Sequence, residues 1–264
     1  MEVVVINLAT RAERWSAMWQ QLLEVGIDPV RIPAVHGASL SSEQRSALYS
    51  EQLNRRLYHQ PLCDGEIGCY ASHLAVWQRL LRSGADCIAV LEDDVEIDTS
   101  LPQVLAAIES MPGDWDLVKL IGRSVEKADG AQPLCEGCSL ICYRRVPSLT
   151  AAYVLHRRGA EKLLARRPPF GRPVDVDLRH WWECGLEVQG VQPYPVREAP
   201  CARESSMVGR AAERDAARRW RRLWQQARYT WCNWQARLAR RPGSAAAQPQ
   251  HLQPQAALGR HERS

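Results

Sequence analysis

No apolar run in this chain approaches the roughly 20 residues needed to cross a bilayer, which excludes a membrane-spanning helix. No basic leader precedes the first apolar residues. Met1-Glu-Val-Val-Val-Ile-Asn7 reads directly as a first strand, so a cytoplasmic chain is expected. A disulfide framework is also missing: the nine cysteines are an odd number, and free thiols are expected in that compartment. The single C-x-x-C, Cys135 with Cys138, has no second knuckle, so a four-ligand structural zinc site is not expected. Finally, neither proline nor glycine interrupts residues 211–240.

The net charge of +4 hides an asymmetry. Residues 210–241 hold ten arginines against one glutamate and one aspartate, whereas residues 1–209 are net acidic. An acidic body repels nucleic-acid phosphate, so no nucleic-acid partner is expected. The sequence divides accordingly into a body over 1–209, a basic segment over 210–241, and a tail over 242–264 rich in Ala, Gln and Pro that is expected to be disordered. Trp220, Trp224, Ala227, Trp231, Trp234 and Leu238 recur at spacings of three or four, which predicts one tryptophan-bearing helical face among arginines. Such a helix suits an anionic membrane surface, with nucleic acid, a partner protein or packing onto the body as the competing readings.

Within the body, Val3–Leu8, a helix carrying Trp15, Met18, Trp19 and Leu22, and Val30–Pro33 form a β-α-β opening and predict a parallel sheet. Asn7, Arg11 and Arg14 fall at or just beyond the carboxyl end of that first strand, where a nucleotide or phosphate would bind. Ser41–Leu57 reads as one polar helical segment. A helix with the face Ile67, Tyr70, Ala71, Leu74, Trp77, Leu80 and Leu81 follows, and His73 lies off that stripe. Then comes Cys87-Ile-Ala-Val-Leu-Glu-Asp-Asp-Val-Glu-Ile97, a buried-type strand ending in Glu92, Asp93 and Asp94. Adjacent carboxylates repel one another and suit a divalent cation, Mn²⁺ or Mg²⁺. The alternative is an acidic turn that caps the next helix.

Beyond the acids, Trp115–Leu120 is a predicted strand, in which Lys119 either reaches a phosphate or pairs with an acid. Residues 122–139 read as loop. Thr150–Leu155 is a strand and Arg158–Leu164 a helix. Asp175 and Asp177 stand two apart before a short segment with Trp181 and Trp182, and Asp177 is an alternative N-cap for it. Val188–Val191 is the last predicted strand.

Val5-Ile-Asn-Leu8 with Arg11 and Arg14, Gly65-Glu-Ile-Gly-Cys-Tyr-Ala-Ser-His73, Val90-Leu-Glu-Asp-Asp-Val95, Ala152-Tyr153 with Gly159-Ala-Glu-Lys-Leu-Leu164, and Pro173-Val-Asp-Val-Asp177 resemble, in that order, glycosyltransferase family 25. This family includes bacterial lipooligosaccharide galactosyltransferases and the collagen galactosyltransferases. The resemblance covers about residues 2–206. It implies an α/β fold of GT-A-like, Rossmann-like type, a mixed sheet flanked by helices, with the basic amphipathic helix as a C-terminal addition. It also implies transfer of a hexose, galactose, from a UDP-sugar to a saccharide acceptor such as lipooligosaccharide, with inversion. Under it, Glu92-Asp93-Asp94 corresponds to a DXD-type motif that begins with Glu, in which Glu92 and Asp94 would bind the metal. Asn7, Arg11, Arg14, Ser72, His73 and Asp93 would lie on the donor side, and Asp175 or Asp177 would be the acceptor base. The expected location is the inner face of a membrane, with a glycan or glycolipid acceptor. A membrane-associated adaptor built on a degenerate transferase body is the rival reading.

Overall fold

The computed structural model describes residues 1–200 and 216–240. The expected disordered tail and residues 201–215 lie outside the described residues. The elements are β1 (Glu2–Asn7), α1 (Ala12–Glu24), β2 (Val30–Pro33), a 3-10 turn (Gly37–Ser39), α2 (Ser42–Leu48), α3 (Glu51–Leu57), α4 (Asp64–Ser83), β3 (Cys87–Glu92), β4 (Val95–Ile97), α5 (Leu101–Glu109) and β5 (Leu117–Lys119). They continue with β6 (Ala128–Cys135), β7 (Cys138–Tyr143), β8 (Ala152–His156), α6 (Arg157–Leu164), α7 (Val174–Leu178), α8 (Trp181–Cys184), β9 (Val188–Gln192), β10 (Val196–Glu198) and α9 (Ala216–Arg240).

Eight strands form one mixed sheet in the order β2-β1-β3-β8-β5-β9-β7-β6, and β10 pairs with β4 in a separate ribbon. Strands β2, β1 and β3 are parallel, and β8 enters between β3 and β5 antiparallel to both. This is a mixed α/β sheet flanked by helices, consistent with a GT-A-like arrangement. Alternation along β1 explains the layering. Val4 and Ile6 join the core under α4, α6 and α8, while Val3 and Val5 join the core under α1 and α5. Both faces are covered, so β1 and β3 read as continuous apolar runs.

Helix α4 is buried nearly all round. Gly68, Ser72 and His73 are as enclosed as Tyr70, Leu74 and Trp77, so the one-sided stripe expected from sequence understates its burial. Its N-terminal turns pack against the segment after β2. A Cβ on Gly68 would lie 2.4 Å from the Val35 carbonyl oxygen, and one on Gly37 would meet the Asp64 carbonyl at 1.8 Å. The close approach therefore requires glycine at both positions.

Three sequence readings are corrected. The single helix expected over Ser41–Leu57 is two, because Tyr49 bridges to Phe170 and the Ser50 side chain then caps α3 by accepting from Leu53 N at 3.2 Å. The loop expected over 122–139 contains β6 and leads into β7. Their hairpin turn is Glu136-Gly137, with Gly137 at φ 72°, so Cys135 and Cys138 are cross-strand partners flanking a two-residue turn. All eight cysteines among the described residues are free. Asp177 caps no helix: it lies inside α7, and His180 occupies the N-cap of α8. Among the described residues no helix is long and apolar enough to cross a membrane.

Candidate functional site

The parallel strands β1 and β3 end side by side, with Ile6 paired to Glu92. Their carboxyl ends carry Asn7 and the acidic turn Glu92-Asp93-Asp94. Asn7 is buried and its amide is fully engaged. It donates to the Arg11 carbonyl at 3.0 Å and to Asp93 Oδ2 at 2.5 Å, and its oxygen accepts from Arg31 Nε at 3.0 Å. Asn7 thus ties α1, β2 and the acidic turn together. Arg14 completes the frame, 3.5 Å from Asp93 Oδ1 and 3.8 Å from Asp94 Oδ2. Arg31, whose guanidinium also lies over the Trp15 ring at 5.5 Å, was not singled out from sequence. The available signal was a charged residue within a short strand adjoining the first β-α unit.

Asp94 faces the charge problem that the sequence implied. Burial first, then the neighbouring Glu92 and Asp93 carboxylates, raise its carboxyl to about 6. A site that disfavours its own negative charge in this way fits a divalent cation. Cys69, His73 and Glu92 form a candidate metal-binding cluster in which one ligand atom from each lies within 4.8 Å of the others. The oxygens of Glu92 and Asp94 match a hard cation better than the Cys69 thiol does. Burial, followed by the carboxylates of Glu92, Asp175 and Asp94, pushes that thiol well above its ordinary value.

His73 is fully buried between Glu92 and Tyr153. Its Nδ1 lies 2.9 Å from the Tyr153 hydroxyl and its Nε2 3.3 Å from Glu92 Oε1. The Trp77 indole, which can only donate, gives its hydrogen to the Tyr153 oxygen at 2.9 Å. Tyr153 then satisfies its own buried proton by donating to His73 Nδ1. This assignment leaves the imidazole proton on Nε2, directed at Glu92. In that tautomer His73 orients the Glu92 carboxylate. Ser72 points elsewhere: its hydroxyl donates to the Gly68 carbonyl at 2.7 Å and accepts from Val35 N at 2.8 Å. Arg11 is exposed at the start of α1, 3.9 Å from Glu13.

Asp175 and Asp177 have different surroundings. Asp177 is buried and receives Tyr70 Oη at 2.6 Å, Arg167 Nε at 2.7 Å and Arg172 Nε at 2.9 Å. Burial alone would raise its carboxyl, but Arg172 and Arg167 outweigh it and hold the group at about 2. Glu183 joins the same cluster through Arg167 at 3.3 Å and through Arg172. Asp175 is half-buried, accepts from Val176 N at 2.8 Å, and lines a cavity of about 340 Å³. The Asp175 and Asp94 charges both raise the Cys69 thiol.

Lys119 makes no ion pair with an acid among the described residues, so the acid-pairing alternative is corrected. Its ammonium is buried and donates to the carbonyls of Pro147, at 3.0 Å, and Leu149. Leu149 holds φ at 94°, which an L-residue rarely adopts, so the contact secures an unfavourable backbone beside the cavity. Desolvation brings the Lys119 ammonium down to about 7, with the Asp175 carboxylate opposing that fall.

A family model described as "Glycosyltransferase family 25 (LPS biosynthesis protein)" matches residues 1–178. Procollagen galactosyltransferase 1 of Danio rerio is 33% identical over 186 residues, covering 67% of this chain and 30% of that protein. Procollagen galactosyltransferase 2 of Homo sapiens is 31% identical over 183 residues, covering 67% of this chain and 29% of that protein. A Bos taurus relative, "Probable inactive glycosyltransferase 25 family member 3", is 33% identical over 185 residues, covering 67% and 30% respectively. The chain therefore spans about 30% of the length of these relatives.

The Asp177 cluster generates a stability prediction. Asp177→Asn leaves Glu183 as the remaining carboxylate shared by Arg167 and Arg172, and should cost about 3 kcal/mol at pH 7 in urea unfolding. Because the folded carboxyl is held at about 2, its contribution is complete above the ordinary carboxylate range and lost as pH falls toward 2. The gap between wild type and variant should narrow over that window. A gap independent of pH would remove the charge from the explanation.

Proposed function

Since the chain belongs to glycosyltransferase family 25, we propose that it transfers a hexose, galactose, from a UDP-sugar to a saccharide acceptor such as lipooligosaccharide, with inversion. The observation that carries this reading is the acidic turn at the ends of β1 and β3, framed by Asn7, Arg14 and Arg31 and backed by the His73 hydrogen bond. Glu92 and Asp94 would hold Mn²⁺ or Mg²⁺, which when bound would neutralise charge on the departing diphosphate. Asn7 and Arg14 fix Asp93 beneath that diphosphate, and Arg11 stands at the open side for a further phosphate contact. His73 keeps the Glu92 carboxylate turned toward the site. Ser72 acts by anchoring the segment after β2.

Asp175 is the proposed base. The acceptor hydroxyl oxygen attacks the anomeric carbon as its proton passes to the Asp175 carboxylate. The bond from that carbon to the diphosphate oxygen breaks, and its electron pair leaves with UDP. Asp177 cannot take this role without giving up Arg167, Arg172 and Tyr70.

The body would work at the inner face of a membrane. Helix α9 turns Trp220, Leu223, Trp224, Trp231 and Trp234 outward, with Trp220 74% exposed. Tyr229 and Asn233, on another face, are buried against the body. The outward tryptophans and their neighbouring arginines would rest on anionic lipid. The adaptor reading keeps this membrane contact and dispenses with the donor, so UDP binding separates the two.

Asp94→Ala should lower Mn²⁺-dependent hydrolysis of UDP-hexose by about 100-fold or more with the melting temperature retained. A folded variant of full activity would remove Asp94 from the metal site. Asp175→Asn should slow transfer to acceptor by about 100- to 10,000-fold, and an unchanged rate would move the base elsewhere. Serine at Trp220, Trp224, Trp231 and Trp234 together should reduce co-sedimentation with phosphatidylglycerol vesicles by about tenfold or more while α9 stays docked. Equal sedimentation of variant and wild type would refute the membrane face.

A further inference from the structure

The cavity holding Asp175 is not closed by the body alone. Its wall includes Asp175, Arg179 and Ser148 from the body and Arg222, Gln225 and Tyr229 from α9. The family match ends at residue 178, so the α9 side of the cavity comes from a part of the chain that the match does not cover.

Helix α9 is held on the body by specific contacts, which makes its wall a built feature. The Tyr229 ring is buried between two guanidiniums, Arg145 at 4.6 Å and Arg179 at 4.5 Å. Asn233 accepts from the Trp181 indole at 3.1 Å and donates to the Arg144 carbonyl at 3.1 Å. Arg240 lies over the Trp181 ring at 3.8 Å and pairs with Glu187 at 2.9 Å. On the opposite side of the cavity, Ser148 is fixed because Lys119 binds the carbonyls on both sides of it.

The chemistry of the lining points to a ligand. The Tyr229 hydroxyl is buried and makes no well-aligned hydrogen bond among the described residues, with the Arg179 and Arg145 guanidiniums as its nearby donors. A buried polar oxygen in that state favours a ligand that supplies the missing partner. Amides of Gln60, Gln225 and Gln226 and the Ser148 hydroxyl offer paired donors and acceptors of the kind that match sugar hydroxyls. Arg123, Arg179 and Arg222 contribute three guanidiniums, while Asp175 and Glu66 are the carboxylates of the lining. Each accepts one backbone hydrogen bond, Glu66 from Cys63 N at 2.9 Å and Asp175 from Val176 N at 2.8 Å. His180 is neutral, because burial and then the Arg172 charge lower it to about 4. The cavity therefore combines carboxylates suited to a hydroxyl proton with guanidiniums suited to an anion.

We propose that this cavity is the acceptor site and takes an anionic saccharide, a sugar bearing a phosphate or carboxylate substituent, with Arg222 of α9 contacting that substituent. The inference rests on the transferase reading and adds the acceptor class and the contribution of α9. One helix then serves two surfaces: its inner side selects the acceptor, and its outer side carries the tryptophans.

The test applies the full chain, with UDP and Mn²⁺ present, to an immobilised panel of oligosaccharides in neutral, phosphorylated and carboxylate-bearing forms of the same cores. Wild type should retain the anionic forms over the neutral ones. Arg222→Ala should lose that retention by about tenfold or more, with Arg222→Lys recovering part of it. UDP affinity is read in parallel by calorimetry, and Trp231→Ser, on the outer side of α9, controls for loss of helix docking. Retention of neutral forms only, no retention of any form by a UDP-binding chain, or equal retention by Arg222→Ala and wild type would each overturn the acceptor assignment. A chain that binds no UDP would instead overturn the transferase reading beneath it. Phosphorylated and carboxylate-bearing arms that differ in retention identify which anion the wall reads.

Discussion

Repulsion among three consecutive carboxylates governs this molecule. Glu92, Asp93 and Asp94 follow a strand that is buried on both faces, so they cannot scatter into solvent as acids on a loop do. The fold answers each one differently. Asp93 is taken up by Asn7 and Arg14. Glu92 receives the His73 imidazole. Asp94 has only the more distant Arg14 among the charges that help it, and its carboxyl remains raised to about 6. The residual imbalance sits at the carboxyl ends of β1 and β3. A cation bound there would supply the counter-charge that side chains leave incomplete.

Helix α4 turns that local balance into a property of the whole body. His73 and Cys69 are one helical turn apart and face the acidic turn, while Tyr70 reaches across to Asp177. Gly68 and Ser72 on the same helix fix the segment that follows β2. A shift of α4 would therefore disturb the acidic turn, the Asp177 cluster and the first loop together. Its near-complete burial makes such a shift costly, because the packed interior has no spare volume to absorb it.

The sequence disclosed the parts of the fold that rest on local pattern. The parallel start β1-α1-β2, the strand ending at Glu92 and the helix after Gly65 follow from periodicity and apolar run length. The β6–β7 hairpin was not legible. Its first strand is mostly exposed and contains Gly130 and Pro133, so it carries no apolar alternation, and edge position alone makes that composition tolerable. Within the site, Glu92 and Asp94 were readable as a charge cluster. The partners of Ser72 and Asp177 were not legible, because residue type does not reveal direction. Ser72 bonds to backbone, and Asp177 is claimed by Arg167 and Arg172, which precede it at positions that appear only as a proline-broken stretch in sequence.

Helix α9 shows why amphipathic pattern alone was incomplete. The tryptophan spacing identified one face, and pattern alone left open whether that face meets a membrane surface or packs on the body. Here that face is outward, and the docked side is made of Tyr229, Asn233 and arginines whose guanidiniums lie on aromatic rings or meet carboxylates. Arginine suits this duty because its planar group stacks on a ring while still donating at its edge. Once the polar side is committed to the body, the tryptophans cannot also fold inward. Their exposure is then a consequence of how α9 is anchored, and anchoring is also what holds Arg222, Gln225 and Tyr229 at the cavity beside Asp175. A surface that binds lipid through the outer side would thus present the cavity at a fixed height above the headgroups, where an acceptor carried on a lipid would arrive.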